Sequence, residues 1–277
     1  MQRLKLLVAV DDSAASSRAL AFVAPLAAAE AVEIVLVARA SDPVRAQAML
    51  EAAAAKLGQP AQVQQRHHPG RLAEVLSSEA RQTRADVVAV TPPSRMVWRH
   101  WLRRREVFQL AQQIPTSLLL IRQAHTVRPL HHVLLAGGGG PTMLETARMV
   151  GRLLAPVGGT ATLCHVLLHV PLGYGPRTTD QARMEMFLTS ETPEVAQLAA
   201  VRKVLRDAGV PAELKLRVGL VVDEVLAEVA AGGYDLLVIG AHRTESRLDR
   251  LLLADISAQL LRKSPVPVLL VRSPVWS

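Results

Sequence analysis

The chain has 277 residues, 50% of them hydrophobic and only 3% aromatic, a composition typical of globular domains built on small aliphatic side chains. No apolar run approaches the roughly 20 residues that a helix needs to cross a bilayer, and the single cysteine, Cys164, excludes a disulfide framework and favours a reducing compartment, the cytoplasm. The net charge of +8 is compatible with nucleic-acid binding, but a solvated arginine-rich surface is the simpler interpretation.

The segments of the first half reappear in the same order in the second half. RLKLLVAVDDSAASSRAL near the N-terminus parallels PLHHVLLAGGGGPTMLETA at mid-chain, KLGQPAQV parallels DAGVPAEL, and QQIPTSLLLIR parallels RKSPVPVLLVR. Self-similarity that keeps its order along the chain indicates a duplicated unit. The sequence therefore predicts two tandem domains, residues 1–125 and residues 126–277.

Within each half, short apolar runs alternate with helical patterns. LLVAV, IVLVA, DVVAV and SLLLIR are continuously apolar, as expected of parallel strands that are buried on both faces. The spacing of Val222, Val225 and Val229 indicates an amphipathic helix between two such strands. The pattern predicts an α/β fold made of two doubly wound parallel sheets of the flavodoxin-like type, with five strands each. Extra residues at about 170–190 predict a surface insertion in the second half.

The last strand of each half is short and apolar, at residues 116–122 and 266–272. An apolar edge strand would leave its backbone groups open to aggregation unless another strand covered it. The simplest cover is the equivalent strand of the other half. We therefore expect the halves to pair within the chain as an internal pseudo-dimer; a homodimer and an unidentified protein partner are further expectations, whereas a membrane or nucleic-acid partner is not.

The chain resembles the universal stress protein family in tandem form, on the strength of LLVAVDDSAAS, YDLLVIGAHR and RLLLADISAQLLRKSPVPVLLVR. The resemblance implies a five-stranded parallel sheet in each half. In ATP-binding members of this family, an aspartate ends the first strand, and a late signature, G-x2-G-x9-G-Ser/Thr, holds ribose and phosphates with its backbone N–H groups.

Neither half keeps both the aspartate and the complete signature. In the first half Asp11 ends the first strand, but Thr91 replaces the first glycine of the signature and Arg104-Arg105 replace Gly-Ser. In the second half Gly240 fills the first signature position, Gly138 replaces the aspartate, and Ala254-Asp255 replace Gly-Ser. A carboxylate at Asp255, placed at a helix N-terminus, would repel a triphosphate.

The resemblance gives a set of candidate nucleotide-binding residues, and no catalytic or metal-binding residue is among them. The candidates are Asp11, Val37, Arg104, Arg105, Val166 and Gly240. The arginines belong to a basic stretch that either binds an anion through side chains or is solvated. Trp98 and Trp101 in that stretch either stack a base or serve as packing anchors. His165 and His169 share one strand face, but two histidines alone do not make a metal site, and we expect no metal.

The glycine run 137–140 raises the question of a phosphate loop, since backbone N–H groups at a helix N-terminus attract anions. No Gly-Lys-Ser/Thr follows it, and Met143 stands where G-x-G-x-x-G needs a glycine. We therefore expect a permissive turn at Gly138–Gly140.

The leading hypothesis is a cytoplasmic universal stress protein that acts by binding and regulation, with degenerate nucleotide sites in both halves and no resident cofactor. One alternative is an ATP-binding member with an irregular site and weak hydrolysis. The other is a basic protein associated with nucleic acid.

Overall fold

The structure, a computed structural model, describes residues 3–29, 32–58, 63–91, 111, 113–121, 128–137, 141–167, 180–240 and 247–273. The strands are β1 Leu4–Val10, β2 Val32–Ala38, β3 Val63–His67, β4 Val87–Val90, β5 Ser117–Leu120, β6 His132–Ala136, β7 Thr160–Leu167, β8 Ala212–Val218, β9 Leu236–Gly240 and β10 Val268–Val271. The helices are α1 Ala14–Ala28, α2 Pro43–Lys56, α3 Leu72–Thr83, α4 Pro141–Leu154, α5 Asp180–Thr189, α6 Pro193–Asp207, α7 Val221–Ala231 and α8 Arg247–Lys263.

All ten strands form one sheet, in the order β3-β2-β1-β4-β5-β10-β9-β6-β7-β8. Strands β1 to β5 are parallel to one another, and so are β6 to β10. Each half therefore repeats one doubly wound order, in which the chain runs outward from its first strand and then returns to the other side of it. The predicted fold class is confirmed.

The two halves meet where β5 pairs with β10. This pairing is antiparallel, and Leu269 lies opposite Leu119. Both side chains are almost fully buried, at 1% and 5% exposure. Ser117 adds a polar clasp, because its Oγ accepts a hydrogen bond from the backbone N–H of Arg272 at 3.2 Å. The pairing of the last strands, expected from their apolar character, is thus present.

Helices cover both faces of the sheet. One core contains side chains of α1, α2, α4 and α6 packed on one face, and a second core contains side chains of α3, α7 and α8 on the other face. Because the strands are buried on both faces, they read as continuous apolar runs and not as alternating ones.

Polar side chains mark where elements begin. Ser13 caps α1 by accepting from the N–H of Ser16 at 3.1 Å, as expected of a serine at this position. At the amino ends of the strands in their own halves, the carboxylates of Asp86 and Asp235 accept from the N–H groups of Lys5 and His132, at 2.8 and 2.9 Å. These two aspartates occupy matching positions and align the halves residue by residue.

The predicted domain boundary at 125/126 lies outside the described residues. Of the predicted insertion at 170–190, the described part contains α5, so this part is helical. No helix in the described part of the chain is long and apolar enough to cross a membrane.

Candidate functional site

A cavity of about 260 Å³ opens at the carboxyl ends of the strands in the first half. Its described wall consists of Ala9, Val10, Asp11, Val37, Arg39, Leu72, Val75, Leu76, Val90 and Thr91. These residues come from the ends of β1, β2 and β4 and from the first turns of α3. Ligands of doubly wound folds bind at this edge of the sheet, and a mostly apolar wall with a few polar groups is typical of small-molecule sites.

Asp11 is held in place by its own turn. Its N–H donates to Ser16 Oγ at 3.1 Å, and its Oδ1 accepts from the N–H of Ser13 at 2.9 Å. The carboxylate lies on the exposed rim of the cavity, with its other oxygen left to accept from a ligand hydroxyl. Val37, the other predicted residue in this half that the structure describes, is buried in the wall.

Arg39 also lines the cavity, but it is not among the binding residues predicted from the sequence. Its Nη1 donates to the carbonyl oxygen of Gly70 at 3.4 Å, a long hydrogen bond. Gly70 has a φ of +132° and precedes α3, a conformation that favours glycine. Arg39 follows Val37 by two residues, and this period places both on one face of β2. That alternation was the available signal.

The second half places different side chains at the matching positions. In the strand registers Ala9 lies opposite Val37, and Ala136 lies opposite Cys164. Cys164 is therefore the counterpart of Val37, and the predicted residue Val166, half-buried, is the counterpart of Arg39. The structure does not place Val166 where Val37 lies.

Glu224 introduces a negative charge into this edge of the second half. It lies five residues after Gly219, as Val75 lies five residues after Gly70, and both glycines have positive φ. A Cβ on Gly219 would lie 2.9 Å from Glu224 Oε1, and a Cβ on Gly70 would lie 3.3 Å from Val75 Cγ2. Glu224 is thus the counterpart of an apolar wall residue, and its Oε2 pairs with Arg217 Nε at 2.8 Å.

Gly240, predicted as a candidate nucleotide-binding residue, ends β9 and has a packing role there. A Cβ at this position would lie 3.0 Å from Thr146 Oγ1, tighter than ordinary van der Waals contact. The expectation for Ala254-Asp255 was wrong in one respect. Because α8 begins at Arg247, these residues lie inside the helix and not at its N-terminus, so their backbone N–H groups face preceding carbonyls.

Several predicted features lie outside the described residues: Arg104, Arg105, Trp98, Trp101, His169 and Gly138–Gly140. The expectation of a permissive glycine turn therefore stays a prediction. Gly137, which starts that run, is described, and a Cβ on it would lie 2.1 Å from Met143 Sδ. A side chain at this position would therefore displace the end of the Met143 side chain on α4.

A buried carboxylate, Glu228 on α7, organises the neighbouring part of the second half. It is fully buried and accepts from Lys215 Nζ at 2.9 Å, from Arg217 Nη1 at 3.2 Å and from the Tyr234 hydroxyl at 2.8 Å. Burial alone would raise the pKa of Glu228, but the hydrogen bonds from Lys215 and Tyr234 and the nearby positive charges outweigh it and hold the pKa below 4.5. Burial raises the pKa of Tyr234 to about 12, so the hydroxyl remains a donor.

The first half contains a counterpart of this arrangement. Glu79 on α3 is 1% exposed, and its carboxylate lies 3.4 Å from Arg66 Nε and 2.6 Å from His68 Nε2. The sequence carried a signal for both carboxylates, namely a glutamate on the inward face of a helix together with basic residues that alternate along the adjoining strand.

His165 lies close to Gly137, the first residue of the glycine run in the second half. Its ring stacks on Phe187 of α5, with 5.5 Å between ring centroids, and its Nδ1 lies 3.4 Å from the carbonyl oxygen of Gly137. Burial lowers the pKa of His165 below 6.5, although the contact with Gly137 opposes this. The neutral ring therefore packs α5 onto the sheet.

We expect the thiol of Cys164 to be unreactive in the folded protein. It is 1% exposed, and its pKa is raised to about 12, chiefly by burial and also by the charge of Glu228, against the opposing effect of Arg217 and Lys215. Because the thiolate is the nucleophile, a disulfide reagent at pH 8 should label almost no native protein and should label one thiol per chain in denaturant. Rapid labelling of native protein at the denatured rate would contradict this expectation.

Two solved structures that align over nearly the whole chain agree with the fold. A universal stress protein from Archaeoglobus fulgidus DSM 4304 aligns over 98% of this chain and 96% of its own, with a TM-score of 0.62 and 15% identity. The functionally unknown protein PA1789 from Pseudomonas aeruginosa PAO1 aligns over 96% and 92%, with a TM-score of 0.62 and 15% identity. A universal stress protein from Archaeoglobus fulgidus in complex with dAMP aligns over 53% of this chain and 100% of its own, with a TM-score of 0.37 and 15% identity.

The sequence was also compared with a known relative and with a family model. The universal stress protein Slr1230 from Synechocystis sp. is 36% identical over 85 residues, which are 30% of this chain and 29% of the relative, so the chain spans under a third of that relative's length. The family model of universal stress proteins matches residues 129–272, just over half of the chain. The chain belongs to the universal stress protein family.

Proposed function

We propose that the protein acts in the cytoplasmic stress response by reversible binding, and that its ligand is a nucleoside or nucleotide held in the first half. The observation that carries the proposal is the cavity between β1, β2 and α3, which combines an apolar wall with the Asp11 carboxylate at its rim. An apolar slot suits a planar base, and a carboxylate suits the hydroxyls of a ribose. At about 260 Å³, the cavity is smaller than the roughly 300–1,000 Å³ of typical drug-sized sites, so we assign it to the nucleoside part of the ligand.

We further propose that each chain binds one ligand, because the second half carries different side chains at the matching positions. Glu224 places a carboxylate where the first half has the apolar Val75, and Val166 replaces Arg39. The Glu224 carboxylate and the Arg217 guanidinium that pairs with it raise the cost of desolvation for a base placed beside them. The second half then serves as a structural partner that continues the sheet across β5 and β10.

Isothermal titration calorimetry with adenosine, inosine and ATP, with and without magnesium, tests both parts of the proposal. We expect one site per chain. Asp11→Asn should weaken binding by at least about tenfold, because it removes a charge-assisted hydrogen bond to a ribose hydroxyl. The asparagine oxygen can still accept from the N–H of Ser13, so the turn is kept.

Asp12→Asn is the matched control for this experiment. Asp12 is the next residue, is also exposed, and pairs with Arg45 on α2 instead of lining the cavity. Its substitution should leave the affinity unchanged. The proposal is wrong if none of the three ligands binds, if the stoichiometry is two, or if the Asp11 and Asp12 variants bind equally well.

A further inference from the structure

We propose that Arg39 makes this cavity select a purine that carries a carbonyl at position 6, such as hypoxanthine or guanine, over adenine. The inference rests on the proposed nucleoside site in the first half and concerns the ligand class that the site accepts. It makes Arg39 a specificity-determining residue.

The position of Arg39 gives its guanidinium access to a ligand in the cavity. The residue follows the last residue of β2 and lines the cavity together with Val37, Leu72 and Val75. Its side chain is exposed, and one of its nitrogens donates to the carbonyl oxygen of Gly70 at 3.4 Å. No carboxylate among the described residues lies within ion-pairing distance of it. The remaining donors of the guanidinium are therefore available to a ligand.

The chemistry of a guanidinium then decides which purine edge it accepts. Arginine only donates hydrogen bonds. A 6-oxopurine presents two acceptors side by side, O6 and N7, and this pair matches the planar fork of arginine in a bidentate contact. Adenine presents N7 beside an amino group, so one donor of the fork would face another donor.

The apolar wall makes this mismatch costly. Apart from Asp11, which we assign to the ribose, Arg39 and Thr91, the residues that line the described wall are aliphatic. Thr91 is then the one described side chain of the wall that could accept from an amino group that Arg39 rejects. A polar group left unpaired in such a site costs far more than a missing apolar contact, and sites of this kind discriminate strongly. The counterpart of Arg39 in the second half, Val166, makes no such distinction.

Inosine and adenosine are the probes that test the inference, because they share their ribose, carry no phosphate and differ at position 6 and in the proton on N1. Titration of the full chain should show inosine binding at least about tenfold more tightly than adenosine, in keeping with the discrimination of a bidentate arginine. Arg39→Met keeps an apolar stem of similar length and should bring the affinity ratio close to one. Arg39→Lys, which cannot form the fork, should give an intermediate ratio.

Arg71→Met is the matched control. Arg71 is exposed, follows Gly70 directly and pairs with Glu74 at 3.9 Å, but it is not among the residues that line the cavity. The Arg71→Met substitution also removes one positive charge close to Gly70, and it should preserve the preference for inosine. An Arg71 variant that loses the preference to the same degree would reduce the effect to general electrostatics and overturn the inference.

The possible outcomes separate this inference from the proposed function. Equal affinity of the wild-type chain for adenosine and inosine would overturn the role of Arg39 while the nucleoside site stood. If Arg39→Met weakened AMP and IMP equally and left both nucleosides unchanged, the guanidinium would bind phosphate, and the inference would be wrong. If no nucleoside and no nucleotide bound, the site itself would be wrong, and the inference with it.

Discussion

Leu269→Asp is expected to destabilise the whole protein by at least about 3 kcal/mol, the scale for a charge left unpaired in a core. Leu269 lies on β10 at 1% exposure, directly opposite Leu119 of β5. The substitution places a carboxylate in the seam that joins the halves and removes apolar contacts from both. Urea unfolding followed by circular dichroism should show a large fall in the midpoint, with the β5–β10 seam as the first region to lose amide-exchange protection.

Val44→Asp is the control for this prediction. Val44 is 79% exposed at the start of α2, where a negative charge interacts favourably with the helix dipole. Its substitution should change the midpoint little. If Leu269→Asp were as well tolerated as Val44→Asp, the pairing of the last strands would contribute nothing to stability.

Glu228→Gln is expected to lower the free energy of unfolding by about 2 kcal/mol at neutral pH. Removal of one partner from a buried ion pair generally costs about 3–5 kcal/mol, and the effect is smaller here because the Lys215 side chain is 49% exposed and its charge is screened. Glutamine keeps an oxygen that can accept from Tyr234. Glu213→Gln, on the exposed side of β8, is the matched control and should change stability by less than about 0.5 kcal/mol.

The stability of the wild-type protein and that of Glu228→Gln should depend differently on pH. The pKa of Glu228 is lower in the folded chain than its ordinary value of 4.5, so its contribution to stability is complete above pH 4.5. The contribution is lost as the pH falls through the lowered folded value, because the unfolded chain then binds the proton more readily. The stability difference between wild type and Glu228→Gln should therefore shrink towards zero in acid. A difference that stayed constant below pH 4.5 would contradict the assignment.

The fold could be predicted from the sequence because its signals are local and occur twice. Continuous apolar runs such as those of β4 and β9 mark strands that are buried on both faces, and the repeated order fixed which strands correspond. The pairing of β5 with β10 followed from the need to cover an apolar edge. None of these steps required knowledge of side-chain positions.

The candidate site was less predictable because it depends on register and on where a helix begins. A shift of one residue along β7 moves a side chain to the other face of the strand. Val166 lies two residues beyond Cys164, the true counterpart of Val37. Ala254-Asp255 was expected at a helix N-terminus, but α8 begins earlier, at Arg247. The residues that correspond to Arg39 and Glu224 in the other half can be identified only when the two halves are superposed.

The antiparallel seam between β5 and β10 has a consequence for the directions from which the two halves are accessible. Within each half the strands are parallel. The reversal at the seam therefore places the carboxyl edges of the two halves at opposite ends of the sheet. The first-half cavity opens at one of these two ends. A ligand that enters this cavity approaches from that end of the sheet, so it leaves the carboxyl edge of the second half, at the other end, accessible.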